Sequence, residues 1–217
     1  MSDSTILKKD LFGEIRLANH AGECVVVRDS AAAARGLRWL ARRLLRREAR
    51  ALARLAHIEG FAEIVQLDKD SLTRSFLDGA PMQRSKPADP AYFKAAARLL
   101  RRMHRAGIVH NDLAKEPNFL VRPDGKPAIL DFQIACSSAT RSKLFRVAAR
   151  EDLRHLLKHK RTYCAQQLTA RELNILATPG VAALAWSKTV KPVYLFITRR
   201  ILGWADREGA ADRGERL

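Results

Sequence analysis

The chain has 217 residues, 47% of them hydrophobic, so it can bury a core of its own as one domain or as one body with two lobes. Its 40 lysines and arginines against 23 acidic residues give a formal net charge of +17, which favours polyanionic partners without choosing among nucleic acid, anionic lipid and phosphorylated small molecules. The sequence has neither an apolar run of membrane-spanning length nor an apolar N-terminal leader, and this predicts a cytoplasmic protein. Cys24, Cys136 and Cys164 lie far apart without a CxxC spacing, so neither a disulfide framework nor a zinc site is indicated.

The pattern of residues 1–79 predicts a small first lobe, made of an antiparallel five-stranded sheet and one helix. Short β-type runs separated by turn residues indicate the strands, and a long run rich in leucine, alanine and arginine indicates the helix. The predicted strands cover 5–10, 14–18, 24–29, 62–67 and 71–76, and the predicted helix covers 31–56.

Residues 80–187 predict a second, mainly helical lobe, which makes the fold class α+β with two lobes. The stretch 78–90 is punctuated by glycine and proline and predicts a connection. One hairpin over 118–131, turning at "RPDGK", is expected to interrupt the helices. The predicted helices of this half are 90–106, 147–160, 169–177 and, in a basic amphipathic tail over 188–217, 190–204.

The first helix carries a glutamate where its apolar face is expected. With a residue every 100° or so around the axis, the apolar side chains of the helix fall within roughly 60° of Glu48, and most of the arginines fall on the other side. The alternative interpretation is that Glu48 is partly exposed and forms ion pairs with neighbouring arginines of the same helix. Because burying an unpaired carboxylate is costly, we expect a buried cation beside Glu48, and Arg28 at the end of the strand "CVVVR" is the candidate.

The stretch "HNDLAKEPNFLVRPDGKPAILDF", 110–132, places His110, Asp112, Asn118 and Asp131 around the predicted hairpin. Phosphoryl transfer from a nucleotide needs a cation for the phosphates, oxygen ligands for a divalent ion and a carboxylate that orients the attacking hydroxyl. The order of a strand cation, a helix glutamate, an aspartate, an asparagine and a second aspartate supplies each of these. An HxD triplet alone also occurs by chance as a hydrogen-bonded loop pair.

On these motifs the chain resembles the protein-kinase-like superfamily, and within it a compact bacterial branch near RIO-type kinases and the kinases of lipopolysaccharide core sugars, heptose or Kdo. The resemblance implies an ATP- and Mg²⁺-dependent kinase with Asp112 as the catalytic-loop aspartate and His110 as the histidine that opens the loop. Asn118 and Asp131 are then the implied metal ligands. Lys115 is grouped with the catalytic residues, and either Lys115 or Pro117 is the position that absorbs the extra residue between Asp112 and Asn118.

The resemblance also assigns the nucleotide contacts. Arg28 and Glu48 take the places of the strand cation and its helix glutamate, and "KKDLFGEI" takes that of the phosphate loop, with Gly13 and Lys9 as its contacts. The stretch "SFLDG", with Phe76 and Leu77, is the implied hinge behind the adenine.

Three features depart from the usual pattern. Arg28 stands where a lysine is usual, only one glycine is present in the phosphate loop, and "DFQ" replaces DFG, which predicts a fixed active conformation. Asp152 is placed where a helix aspartate holds the backbone of the catalytic loop. His155 and His159 are interpreted as a solvated or packing pair rather than as metal ligands.

The acceptor is the least determined part of the prediction. Only a short segment follows "DFQ", which favours a small or membrane-presented hydroxyl, such as a glycolipid sugar, over a polypeptide. A RIO-like serine/threonine kinase or ATPase and a pseudokinase adaptor at the membrane remain alternatives, and nucleic acid is an unlikely partner. The basic tail predicts either a helix packed on the second lobe or peripheral attachment to an anionic inner-membrane surface.

Overall fold

The computed structural model describes residues 5–178. The predicted helix over 190–204 and the rest of the basic tail therefore lie outside the described residues. Within the described part, none of the helices combines the length and the apolar character that crossing a bilayer requires.

The first lobe is built on an antiparallel sheet of five strands in the order β1, β2, β3, β5, β4. Two-residue turns join β1 to β2, at Leu11 and Phe12, and β2 to β3, at Ala21 and Gly22. The strands are β1 (Thr5–Asp10), β2 (Gly13–His20), β3 (Glu23–Asp29), β4 (Ile64–Leu67) and β5 (Ser71–Ser75). All five predicted strands are present, which confirms the sheet.

Helix α1 (Arg38–Leu55) is shorter at its start than predicted. The preceding residues form turns instead, because the carboxylate of Asp29 accepts a hydrogen bond from the Ala31 N–H (2.7 Å) and Gly36 lies in a single 3₁₀ turn, 35–37. Local side-chain bonds of this kind compete with helix formation. The apolar face of α1 packs under the sheet, with Leu45, Leu52 and Leu55 at most 2% exposed.

The second lobe is mainly helical, as predicted, and α3 and α4 pack against each other in it. The elements that follow the first sheet are β6 (Ala80–Pro81), α2 (Met82–Ser85), α3 (Pro90–Arg105), β7 (Ile108–Val109), β8 (Phe119–Val121), β9 (Pro127–Ile129), β10 (Cys136–Ser137), α4 (Lys143–Tyr163) and α5 (Ala170–Ala177). The two-lobed α+β fold class is thus confirmed, and the lobes share one continuous core.

Some parts of the second lobe differ from the prediction. The stretch 78–90 is not only a connection, because it contains β6 and the single-turn helix α2. The predicted hairpin is present as β8 and β9, but it gains β6 as a third strand, and β7 pairs with β10 in a sheet that the sequence did not predict. Helix α4 begins at Lys143, before the predicted start at 147, because the Ser142 hydroxyl caps it by accepting from the Phe145 N–H.

Arginines on α1 attach this helix to the second lobe. Arg47 donates from Nε to the carbonyl of Ala135 (2.6 Å) and lies 2.8 Å from the Cys136 sulfur, while Arg54 donates to the carbonyl of Ser138 (3.2 Å). The acceptors belong to β10 and its flanks, and β10 pairs with β7, the strand that leads into the candidate catalytic loop. The same helix that carries Glu48 is therefore tied to the segment that follows Asp131.

Candidate active site

The loop between β7 and β8 is held from below by Asp152 of α4. Its carboxylate accepts hydrogen bonds from the backbone N–H groups of His110 (2.8 Å) and Asn111 (3.0 Å), and the Nε2 atom of His104 lies 3.1 Å from it. Asp152 is 1% exposed, so each of these bonds is shielded from water. The prediction that a helix aspartate holds the loop backbone is confirmed.

His110 is buried and both of its ring nitrogens are used. The Asp112 N–H donates to Nδ1 (3.3 Å), which leaves Nε2 as the protonated nitrogen that donates to the carbonyl of Leu130 (2.8 Å). The imidazole thus fixes the start of the loop and joins it to the chain just before Asp131. This geometry makes His110 a positioning residue rather than a proton carrier.

Asp112 lies at the centre of the loop, between a cation and an amide. Lys115 Nζ is 3.1 Å from its Oδ2 atom, and the Asn118 side-chain amide donates to its carbonyl (2.9 Å) and to Oδ2 (3.3 Å). Burial raises the pKa of Asp112; the Lys115 ammonium opposes the rise, and the carboxylate of Asp131 adds to it. Asp112 and Asp131 are therefore electrostatic neighbours.

Asp131 reaches the loop because the chain before it is bonded to Asn118, whose carbonyl accepts from the Leu130 N–H (2.9 Å). It has a φ of 63°, a left-handed conformation that aspartate tolerates better than most residues. Phe132 is 1% exposed and packs between the rings of His110 (4.7 Å between centroids) and Phe61 (5.7 Å). Burial of this ring anchors the backbone beside Asp131.

The expected pair beneath the sheet is present. Arg28 Nε lies 3.1 Å from Glu48 Oε2, Glu48 is 1% exposed, and Arg28 also approaches Asp131 (3.8 Å). A second cation, Arg74 of β5, was not predicted: its Nε atom lies 3.4 Å from Glu48 Oε1. The contacts to Glu48 have ion-pair distances without hydrogen-bond geometry, so we regard them as electrostatic. Two guanidinium groups therefore share one buried carboxylate beside the metal-ligand candidate.

The extra arginine had a signal in the sequence. Side chains alternate along a strand, so Arg74 shares a face with Leu72, which is completely buried. Burial lowers the pKa of Arg74, while Glu48 and Asp131 oppose this and Arg28 reinforces it.

Lys9 and Gly13 lie at the tip of the first hairpin. Lys9 is an exposed residue that pairs with Glu14 across β1 and β2. Gly13 has a φ of +128°, and a Cβ on it would approach the Asp29 carbonyl to 2.1 Å. The glycine is thus required for close packing of β2 on β3, and its contact with a nucleotide phosphate stays a prediction.

Phe76 and Leu77 follow β5 at the junction of the lobes. They line a groove of about 640 Å³ together with Glu59 and the turn 122–124 of the β8–β9 hairpin. No residue of the catalytic loop lines this groove. The groove therefore does not combine the hinge with Asp112, and the assignment of the two residues to the adenine side stays a prediction.

The donor set around Asn118 and Asp131 suits a hard cation. Asp131 Oδ1 is buried without a hydrogen-bond donor, and the Asn118 amide nitrogen is committed to Asp112, which leaves its oxygen for a cation. Among residues 5–178, no three His, Cys, Asp or Glu side chains gather as a metal-binding group. One carboxylate and one amide oxygen are what Mg²⁺ uses when phosphate oxygens and water complete its octahedral shell.

His159 supports the other end of the loop. It is 6% exposed, its Nε2 atom lies 2.8 Å from the carbonyl of Leu113, and Glu116 lies 3.9 Å from Nδ1. It is thus a packing histidine, in agreement with one of the two interpretations. Burial lowers the pKa of His155 to about 4, so this neighbour is neutral at physiological pH.

Comparison with protein families matches residues 27–176 to the RIO domain family. None of the curated proteins matches the chain. The matched range begins in β3, just before Arg28, and ends in α5, so it contains the ion-pair cluster, the catalytic loop and Asp131. The match supports the predicted resemblance to RIO-type kinases, but it does not support the resemblance to lipopolysaccharide-core kinases. The chain belongs to the RIO domain family, protein-kinase-like phosphotransferases that use ATP.

Proposed function

We propose that this chain transfers the terminal phosphoryl group of ATP to a hydroxyl, with Asp112 as the residue that receives the hydroxyl proton. The observation that supports it most is the grouping of three residues: Asn118 donates to Asp112, its carbonyl accepts from the Leu130 N–H, and Asp131 interacts electrostatically with Asp112. Proton transfer and orientation by one carboxylate are the protein's part of such a reaction.

The residues divide the work by their positions. Asn118 and Asp131 would hold Mg²⁺, which when bound neutralises charge on the phosphates. Arg28, kept in place by Glu48, points toward Asp131 and so presents a guanidinium to the phosphates on the same side. Lys115 contacts Asp112 and lies at the edge of the site, where it provides a second cation for the transferred group.

Asp112 is suited to the proton-accepting role by its surroundings. Burial raises its pKa, which makes it a stronger base than an exposed aspartate, and the bond from Asn118 fixes the orientation of the carboxylate. His110 and Asp152 hold the backbone N–H groups of residues 110–112, so the carboxylate is positioned before the hydroxyl arrives.

The preferred acceptor is a small or membrane-presented hydroxyl, such as a sugar of a glycolipid. Between Phe132 and the start of α4 the chain has only the segment 133–142, which includes the two-residue strand β10. This is short for a platform that binds an extended peptide. A serine or threonine of a protein is the second candidate, and membership of the RIO domain family supports it.

The test is transfer of label from γ-labelled ATP in the presence of Mg²⁺ to a cell-envelope extract or to a protein extract. We expect Asp112→Asn to lower the rate by about 10²–10⁴, the usual contribution of a positioned acid or base. Asp68→Asn, in the exposed β4–β5 connection, is the matched control and should transfer label normally. Equal rates for wild type and Asp112→Asn would refute the role of Asp112, and label on protein alone would refute the glycolipid acceptor.

A further inference from the structure

A second groove lies on the second lobe, between the end of α3 and the beginning of α4. It has a volume of about 270 Å³, and its floor contains Phe145 and Ala149. Arginines surround it: two from α3, one from the segment before α4 and one from the first turn of α4. These are Arg101, Arg105, Arg141 and Arg146.

The charges around this groove are not compensated. Within residues 5–178, none of its four guanidinium groups lies within the 4.0 Å ion-pair distance of a carboxylate. Other arginines of the surface do have such partners, as in Arg42 with Asp70 and Arg122 with Glu59. Asp152, which contacts the lining residue His104, is buried and committed to the catalytic loop.

Like charges held together in this way repel one another, so the arrangement favours an anion between them. One internal contact is satisfied, since Arg141 donates to the carbonyl of Arg105 (3.2 Å) at the end of α3. That bond orients one arginine, and the dipole of α3 places only about half a negative charge at this end, against four guanidinium groups. The first turn of α4 also contains no acidic residue that would oppose the guanidinium of Arg146.

The lining and the size of the groove indicate which class of anion it suits. Guanidinium groups on several sides of a groove suit an oxyanion that accepts hydrogen bonds from several directions, and phosphate is the biological example. A groove of about 270 Å³ has room for a phosphate group with a small substituent.

We propose that this groove is a phosphate-binding site, separate from the active site and independent of the proposed phosphotransfer. The ligand is a phosphate group, either of a free phosphorylated small molecule or of a lipid headgroup. His104 lines the groove and contacts Asp152, which holds the N–H groups of His110 and Asn111. A ligand in the groove would therefore lie beside His104, which contacts the aspartate that supports the catalytic loop.

The experiment is site-resolved modification of arginines with phenylglyoxal, read by peptide mass spectrometry on the full-length wild-type chain. Inorganic phosphate is compared with acetate at equal ionic strength, and phosphatidylglycerol vesicles with phosphatidylcholine vesicles. We expect phosphate to slow modification of Arg105 and Arg146 several-fold relative to acetate. Arg43, an exposed arginine of α1, is the internal control and should react at the same rate in both.

The outcomes separate the sources of the ligand. Protection by phosphate supports a free phosphorylated ligand, and protection only by phosphatidylglycerol supports a lipid headgroup. Absence of protection in both comparisons, or equal protection of Arg43, overturns the proposal. As a second measurement, Arg105→Gln/Arg146→Gln should lose phosphate-dependent thermal stabilisation that the charge-matched Arg43→Gln/Arg46→Gln retains; equal stabilisation of both variants also overturns it.

Discussion

Replacement of Glu48 by glutamine tests the charge cluster beneath the sheet. The substitution keeps the size of the side chain and removes the charge that faces Arg28 (3.1 Å) and Arg74 (3.4 Å). At an effective dielectric constant of about 20, each contact contributes about 4 kcal/mol of attraction, against several kcal/mol for desolvating the carboxylate. Asp131 remains near Arg28 and compensates part of the loss.

We therefore expect Glu48→Gln to lower the free energy of unfolding by about 3–5 kcal/mol, the usual cost of removing one partner of a buried ion pair. For a chain of this size that corresponds to a fall in Tm of roughly 6–20 °C. Urea denaturation followed by far-UV circular dichroism measures the change.

The matched control is Glu59→Gln. Glu59 also contacts two cations, Arg122 (2.7 Å) and Lys126 (3.0 Å), but its side chain is 55% exposed. Water screens these contacts, so we expect no measurable loss of stability. A loss of less than about 1 kcal/mol for Glu48→Gln, or equal losses for both variants, would refute the argument that burial makes the Glu48 contacts strong.

Two further predictions concern Asp112 and the first hairpin. Burial raises the pKa of Asp112 in the folded chain, so its ionised carboxylate destabilises the fold once the pH exceeds the pKa of an ordinary aspartate. Asp112→Asn should therefore be more stable than wild type at pH 7. Urea denaturation should show this difference shrinking as the pH falls toward about 4. A difference independent of pH would contradict this. Gly13→Ala should lose more stability than Gly22→Ala. Both glycines have a positive φ, which costs an alanine about 1–3 kcal/mol. Only at Gly13 would the added Cβ also meet a carbonyl oxygen, that of Asp29 (2.1 Å). Equal melting temperatures for the two alanine variants would show that the contact is relieved without cost.

The features that follow from a periodic pattern or from an ordered motif could be predicted from the sequence. The position of Glu48 on α1 followed from helical periodicity, and the need for a buried cation followed from the cost of an isolated carboxylate. The Asp152 support was also predicted, on the resemblance rather than on periodicity. These features depend on local pattern or on a motif with a fixed order.

The missed parts depend on contacts between distant residues. Strands β7 and β10 have two residues each, too few for any alternation, and only their pairing defines them. Arg74 occupies a strand that looks half-exposed by composition; it becomes the second partner of Glu48 only when β5 pairs with β3. The groove around Arg105 and Arg146 likewise forms only when α3 meets α4.

The bonds from Arg47 and Arg54 to the β10 segment restrict how the first lobe can move relative to the second. A rotation of the whole first lobe would break these bonds together with the packing of α1 under β10. We expect instead that α1 stays with the second lobe while the hairpin of β1 and β2 lifts at the outer edge of the sheet. If the chain turns over ATP as proposed, entry and exit of the nucleotide would depend on the bending of one hairpin, and the ion pair of Glu48 with Arg28 would persist.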